Sequence, residues 1–216
     1  MLDLQFLIPE IFLSISIFSL LMIGVFIKDS FQTIYRLSIF VILSLILIIL
    51  TKSHDLTKVF NDSFVIDNFS SYSKILILVS TFFVLLISKR HLIDIKNNKF
   101  EYPIIILLSI LGMFIMVSSN DLILFYLGLE LQSLALYILA SIDRDNIKSS
   151  EAGIKYFILS ALSSGLLLYG CSLTFLMALR EEKFLFLCII FNPFEIIFFG
   201  LIGDVGLIII KKSNFD

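Results

Sequence analysis

Long apolar runs separated by short polar breaks organise the chain. A run of about 20 mostly apolar residues crosses a bilayer, because the hydrocarbon core is about 30 Å thick and a helix rises 1.5 Å per residue. Seven runs meet that length, over residues 6–27, 31–51, 69–88, 102–119, 121–142, 151–178 and 184–210. Lys28 and Asp29 close the first run, and Arg36 lies near the start of the second, where a long side chain can snorkel. The third is entered at Lys74 and stopped by Lys89 and Arg90, and the fourth carries Pro103 in its first turn, where proline costs little. The seventh contains Asn192-Pro193, Glu195 and Asp204. All seven are predicted as helices, because an open strand or loop in lipid leaves backbone groups unpaired. Residues 52–68 and 89–101 are predicted as loops, with room for short interfacial helices. No stretch is polar enough for a separate soluble domain. The chain reads as one continuous membrane domain, with the first four helices in residues 1–119 and helices 5–7 in residues 120–216.

Composition sharpens this to an all-α integral membrane protein of about seven transmembrane helices. Of 216 residues, 59% are hydrophobic and 16% charged, against about 25% charged in soluble domains, and mean hydropathy is +1.05. With no Trp, an aromatic belt must come from Tyr such as Tyr35, Tyr72, Tyr102 and Tyr126. The net charge of −2 points away from nucleic acid as a partner. Cys171 and Cys188 sit in apolar runs, and His54 and His91 in separate polar stretches, so no metal or iron–sulfur ligand set is legible. The start, MLDLQFLIPE, lacks signal-peptide and transit-peptide features, so the first run is expected to be retained. Ten Lys and Arg fall on the side of the 28–36, 89–101 and 142–150 connections and the C-terminal tail, five on the other. The positive-inside rule then places the N-terminus outside and the C-terminus inside.

Two ionisable residues within otherwise uncharged runs carry the candidate chemistry. Glu130 has no charged neighbour between Asp121 and Asp143, and lies about 13 Å into its predicted helix. A charge at that depth costs about 2.5–3.5 kcal/mol on insertion scales. Tyr126, Glu130, Ser133 and Tyr137 fall within about 60° of one another on a helical wheel and form one polar stripe. A protonated carboxyl used for helix packing explains Glu130 structurally; a proton relay explains it functionally, and buried membrane carboxylates usually mark ion paths. Lys155 lies one turn past Glu151. It reads either as a snorkelling lysine or as a partner of Glu130, about 10 Å away in depth on an antiparallel neighbour. Ser160, Ala161, Ser163, Ser164, Gly165 and Gly170 suit close helix packing. Glu195 and Asp204 beside Pro193 mark either a broken helix, as in transporter ion sites, or a segment partly out of the membrane.

Residues 120–178 include the runs ELQSL, SSEAGIKYF and ALSSGLLLYG in that order. This stretch resembles subunit 2 of respiratory complex I, NADH:ubiquinone oxidoreductase, in its mitochondrial-encoded form and its bacterial counterpart. LIPEIFLS near the N-terminus resembles that family's start more weakly. The resemblance implies an antiporter-like fold and proton translocation driven by quinone reduction elsewhere in the complex. It places Glu130 at the family's key acidic residue and Lys155 at the lysine of the next helix. In VGLIIIKKSNFD, Lys211 or Lys212 stands where the family has a further lysine. It implies that quinone, FMN and iron–sulfur clusters belong to other subunits, with no cofactor bound by this chain. Other membrane-arm subunits and lipid are the implied partners, and the mitochondrial inner membrane the implied location, with the bacterial inner membrane as alternative. Family members have about twice as many spans, so the chain is expected to be an N-terminal half, split or truncated, with a second polypeptide supplying the rest. Two other readings stay open: a subunit of a cation/proton antiporter, and a structural membrane subunit that has lost pumping.

Overall fold

The computed structural model describes residues 7–27, 30–51, 57–59, 63–94, 99–143 and 146–178. The seventh predicted run, with Pro193, Glu195 and Asp204, and Lys211 and Lys212 lie outside the described residues. The element order is α1 (Ile8–Phe26), α2 (Ser30–Thr51), β1 (Thr57–Val59), β2 (Phe64–Ile66), α3 (Asn68–Asp94), α4 (Glu101–Ser118), α5 (Leu122–Ala140) and α6 (Ile147–Ala178). Six of these helices are long and apolar enough to cross a membrane, matching the first six predicted runs. Chain contacts divide the protein into two units, residues 1–157 and 158–216. The described part of the second is the remainder of α6, residues 158–178.

Three expectations are corrected. The third run extends to Asp94, because Lys89 and Arg90 continue the helix; the Lys89 ammonium lies 5.8 Å from the centre of the Tyr35 ring. The sixth helix starts at Ile147 rather than 151. Asn146 caps it, its Oδ1 accepting the Lys148 N–H at 3.0 Å, which satisfies one otherwise orphaned donor. Within 52–68 the chain forms an antiparallel hairpin, with Thr57 opposite Ile66 and Val59 opposite Phe64. The strand residues are mostly β-branched or aromatic, which suits an extended backbone. A lone two-stranded hairpin is marginal, and this one is held from α4: Phe64 bridges to Ser119, and the Asn120 N–H donates to the Ser63 carbonyl at 2.9 Å.

In the first unit α4 is the central helix, packing against α1, α2, α3 and α5. Its buried positions include Pro103, Leu107, Ile110, Phe114 and Ser118, three or four apart along one face. Leu13 and Leu20 of α1, Ile34, Ile42 and Leu45 of α2, and Leu78 and Leu85 of α3 close around it. Phe18, Phe26, Phe40, Leu47 and Ile87 are exposed on the outer faces, as expected where lipid is the solvent and both faces of a helix are apolar. The tightest crossing is α4 with α5. A methyl group on Gly112 would lie 2.7 Å from the Gln132 nitrogen, and one on Gly128 would lie 2.8 Å from the Met116 nitrogen. The obstacles are backbone atoms, which cannot swing aside. In α6, by contrast, a methyl on Gly165 or Gly170 would meet nothing within 4 Å among the described residues. Gly112 and Gly128 therefore mark a close approach of two backbones, and Ser160 and Ser164 of the SALSSG run are buried.

Candidate functional site

Most hydroxyl groups on these helices are satisfied locally. Ser14, Ser16, Ser19, Ser38, Ser44, Ser80 and Thr81 each donate to a carbonyl three or four residues back. That habit removes the penalty of a polar group in an apolar surround. Against it, three buried side-chain oxygens have no hydrogen-bond partner among the described residues: Glu130 Oε2, Glu10 Oε2 and Ser118 Oγ. An unpaired buried polar atom costs free energy and calls for an explanation.

Glu130 lies on α5, about 12 Å from the helix start at Leu122. The predicted stripe faces inward at its centre: Ser133 and Tyr137 are buried, and Glu130 and Tyr126 half-buried. Ile123, Leu127, Leu134 and Ile138 are exposed on other faces of the same helix. The glycine crossing brackets this turn, since Gly128 and Gln132 both abut α4. Ser133 does not serve the Glu130 carboxyl: its hydroxyl donates to the Glu130 backbone carbonyl at 2.9 Å. Tyr137 carries its ring edge-on to Tyr156, centroids 5.0 Å apart, and to Phe157 at 5.7 Å, docking the start of α6 on α5. The connection between the two helices is held by the Ser149 hydroxyl on the Ala140 carbonyl at 2.9 Å and by Lys99, whose ammonium donates to the Ile142 carbonyl at 2.5 Å.

Lys155 is not brought to Glu130. Its ammonium pairs with Glu151 Oε1 at 2.5 Å, one turn away on α6, and both side chains are more than half exposed. The snorkelling reading of Lys155 describes this geometry.

A second ionisable pair went unread in the sequence. Lys74, taken as the edge of the third span, is buried inside it, with its ammonium 2.5 Å from Glu10 Oε1 and side-chain exposures of 5% and 9%. The rings of Phe64 and Phe114 lie 5.5 and 5.7 Å from that ammonium, over which each presents its electron-rich face. A reciprocal capping box sets where Lys74 falls on α3: Asp67 Oδ1 accepts the Ser70 N–H at 2.8 Å and Ser70 Oγ accepts the Asp67 N–H at 3.0 Å. The signal in the sequence was the Asp67–Ser70 start, with Asp67 seven residues before Lys74, which puts the lysine nearly two turns inside the helix.

With this geometry in place, comparison with known proteins is specific. Residues 119–204 match the NADH:quinone oxidoreductase/Mrp antiporter transmembrane family. The chain is 54% identical over 174 residues to NADH-quinone oxidoreductase subunit N of Pelagibacter ubique, covering 80% of this chain and 37% of that one. It is 47% identical to the protein of that name from Bartonella bacilliformis, covering 80% and 36%. It thus spans little more than a third of the length of these relatives. Among solved structures it resembles a chain of respiratory complex I from Thermus thermophilus with bound aureothin, TM-score 0.63 at 24% identity, covering 76% of this chain and 36% of that one. The fold is therefore that of an antiporter-like, all-α, multi-pass membrane protein. Glu130, Ser133, Tyr137 and Lys155 lie within the residues matched by the antiporter family; Glu10 and Lys74 lie before them.

Proposed function

We propose that the chain is a proton-translocating membrane-arm subunit of an NADH:quinone oxidoreductase, with Glu130 as a relay group. The observation that carries this is Glu130 itself: a carboxyl near mid-helix, inside the antiporter-matched region, with one buried oxygen that no described residue satisfies. A carboxyl so placed takes a proton from water reaching it on one side and releases it on the other, without redox chemistry of its own. Lys155 enters as a secondary group, exchanging between Glu151 and water at the helix edge. The names of the relatives favour the oxidoreductase over a cation/proton antiporter subunit, although the matched family embraces both. Those relatives are bacterial, which supports the bacterial inner membrane over the mitochondrial one. Quinone, FMN and iron–sulfur clusters are assigned to other subunits, which carry the redox reaction; this chain has no separate catalytic activity. The same reading leaves Lys211 or Lys212 as a later station of the path.

The deciding experiment is Glu130→Gln in the assembled complex, measured as NADH–quinone turnover together with proton uptake in sealed vesicles. Gln keeps shape and hydrogen bonding but cannot ionise. A relay predicts normal assembly with proton transfer through this chain slowed by about 10²-fold or more. Unchanged coupled activity leaves Glu130 as a packing residue.

A further inference from the structure

We infer that Glu10 and Lys74 form a second proton-holding site, separate from Glu130 and at a similar level of the bundle. The inference rests on the proton-translocating reading above.

The placement follows from α4. Phe114 of α4 turns its ring to Lys74. Gly112 and Met116, in the same turn, meet Gln132 and Gly128 of α5, the positions that bracket Glu130. Lys74 and Glu130 therefore stand at a similar level with α4 and α5 between them, since Gly128 and Gln132 turn to α4 and Glu130 lies about 160° round α5 from each. Ser118, whose hydroxyl is buried and unpartnered among the described residues, lies one turn beyond Phe114 on the same face. The hairpin covers this end: Phe64 is buried, touches Lys74 through its ring, and is bridged to Ser119. By the distribution of basic residues, this end faces outward.

A packing role alone explains the pair poorly. Two charges removed from water are costly, and apolar residues of the same volume usually hold a fold as well or better. Helix dipole compensation explains an exposed acid in a first turn, but Glu10 is buried. The Glu10 carboxyl also keeps one buried oxygen with no partner among the described residues, while its other oxygen holds the lysine. That free oxygen is a place for one additional proton. Hydronium gives it to the carboxylate, leaving water and a carboxylic acid beside the lysine ammonium; the reverse step returns it. No electrons move.

The test uses the assembled complex in sealed vesicles, with NADH oxidation, proton uptake per NADH and complex yield as readouts. Lys74→Arg keeps a cation beside Glu10 but cannot give up its proton. The double variant Glu10→Leu/Lys74→Met replaces the pair by apolar volume, and Glu130→Gln is the reference. The site predicts that the double variant assembles, oxidises NADH, and loses the same share of proton uptake as Glu130→Gln; Lys74→Arg, which keeps the carboxylate and a cation beside it, retains it. If the double variant pumps as wild type while Glu130→Gln does not, the pair is a structural pin and the inference fails alone. If Glu130→Gln and the double variant both pump normally, the relay reading itself fails and this inference falls with it. Failure of both Glu10/Lys74 variants to assemble assigns the pair to packing and also overturns the inference.

Discussion

Glu130 and Lys155 carry similar weight in the sequence and part company in the structure. Both interrupt uncharged runs, yet one buries an oxygen with no partner among the described residues and the other reaches out to Glu151. The difference lies in which face of its helix each occupies, and neighbours decide that. An exposed ion pair one turn apart contributes little to folding, so Lys155→Met is expected to leave complex yield unchanged. Its effect on proton uptake is expected to be in the direction of Glu130→Gln but smaller; a loss as large as that of Glu130→Gln in the same vesicle assay would place Lys155 in the main path. Lys74 shows the reverse error. A lysine near the start of an apolar run reads as a boundary marker, and only a carboxylate 64 positions earlier in the chain makes its burial tolerable. Nothing local to Lys74 announces that partner.

Helix ends and crossings are set by short-range chemistry of two kinds, and each gives a stability prediction. Asp67→Ala removes the acceptor that holds the Ser70 N–H at the start of α3. Loss of such a cap costs about 0.5–2 kcal/mol, and should appear as a lower thermal midpoint of the detergent-solubilised protein and as earlier proteolysis after residue 66. Gly128→Ala places a methyl against the backbone of Met116 and Gly112. Forcing α4 and α5 apart is expected to cost about 1–3 kcal/mol. Gly165→Ala meets nothing within 4 Å among the described residues, so it should be neutral or slightly stabilising, since Ala is the better helix former by about 1 kcal/mol. Equal midpoints for Gly128→Ala and Gly165→Ala would remove the close crossing from the account. The glycines that matter were not legible as such: a glycine in an apolar helix signals close approach only when another backbone is there to approach.

Across the bundle, alternating helix directions collect the hairpin, Glu10, Lys74, Ser118 and the start of α5 at one end, and Lys99, Ile142, Asn146 and the start of α6 at the other. The basic-residue count assigns the first end to the outside. With Cys171 and Cys188 replaced by Ala, a cysteine at Ser63 should react with a membrane-impermeant maleimide in intact cells. A cysteine at Asn146 should react only after the membrane is opened. The opposite pattern would invert the topology, and would turn the Glu10–Lys74 site toward the inside. On the proposed complex I reading, proton flux is expected only within the assembly; flux by the isolated chain in liposomes would contradict that reading.

Run length and hydropathy placed the first six spans within a few residues, because a bilayer enforces one element type and one length whatever surrounds it. The same local logic singled out Glu130, since a charge in an apolar run is costly wherever the helix sits. Where local chemistry was present but weak beside hydropathy, as at Asn146, the helix start was missed by one turn. The hairpin lay below the reach of the pattern, being three residues per strand and stable only through Phe64, Ser119 and Asn120. Whether Lys155 turns outward, whether Lys74 turns inward, and which glycines touch were settled by packing. Each depends on a partner at a distance in the chain that no periodicity encodes, and burial of a charge is affordable only once that partner has been brought alongside.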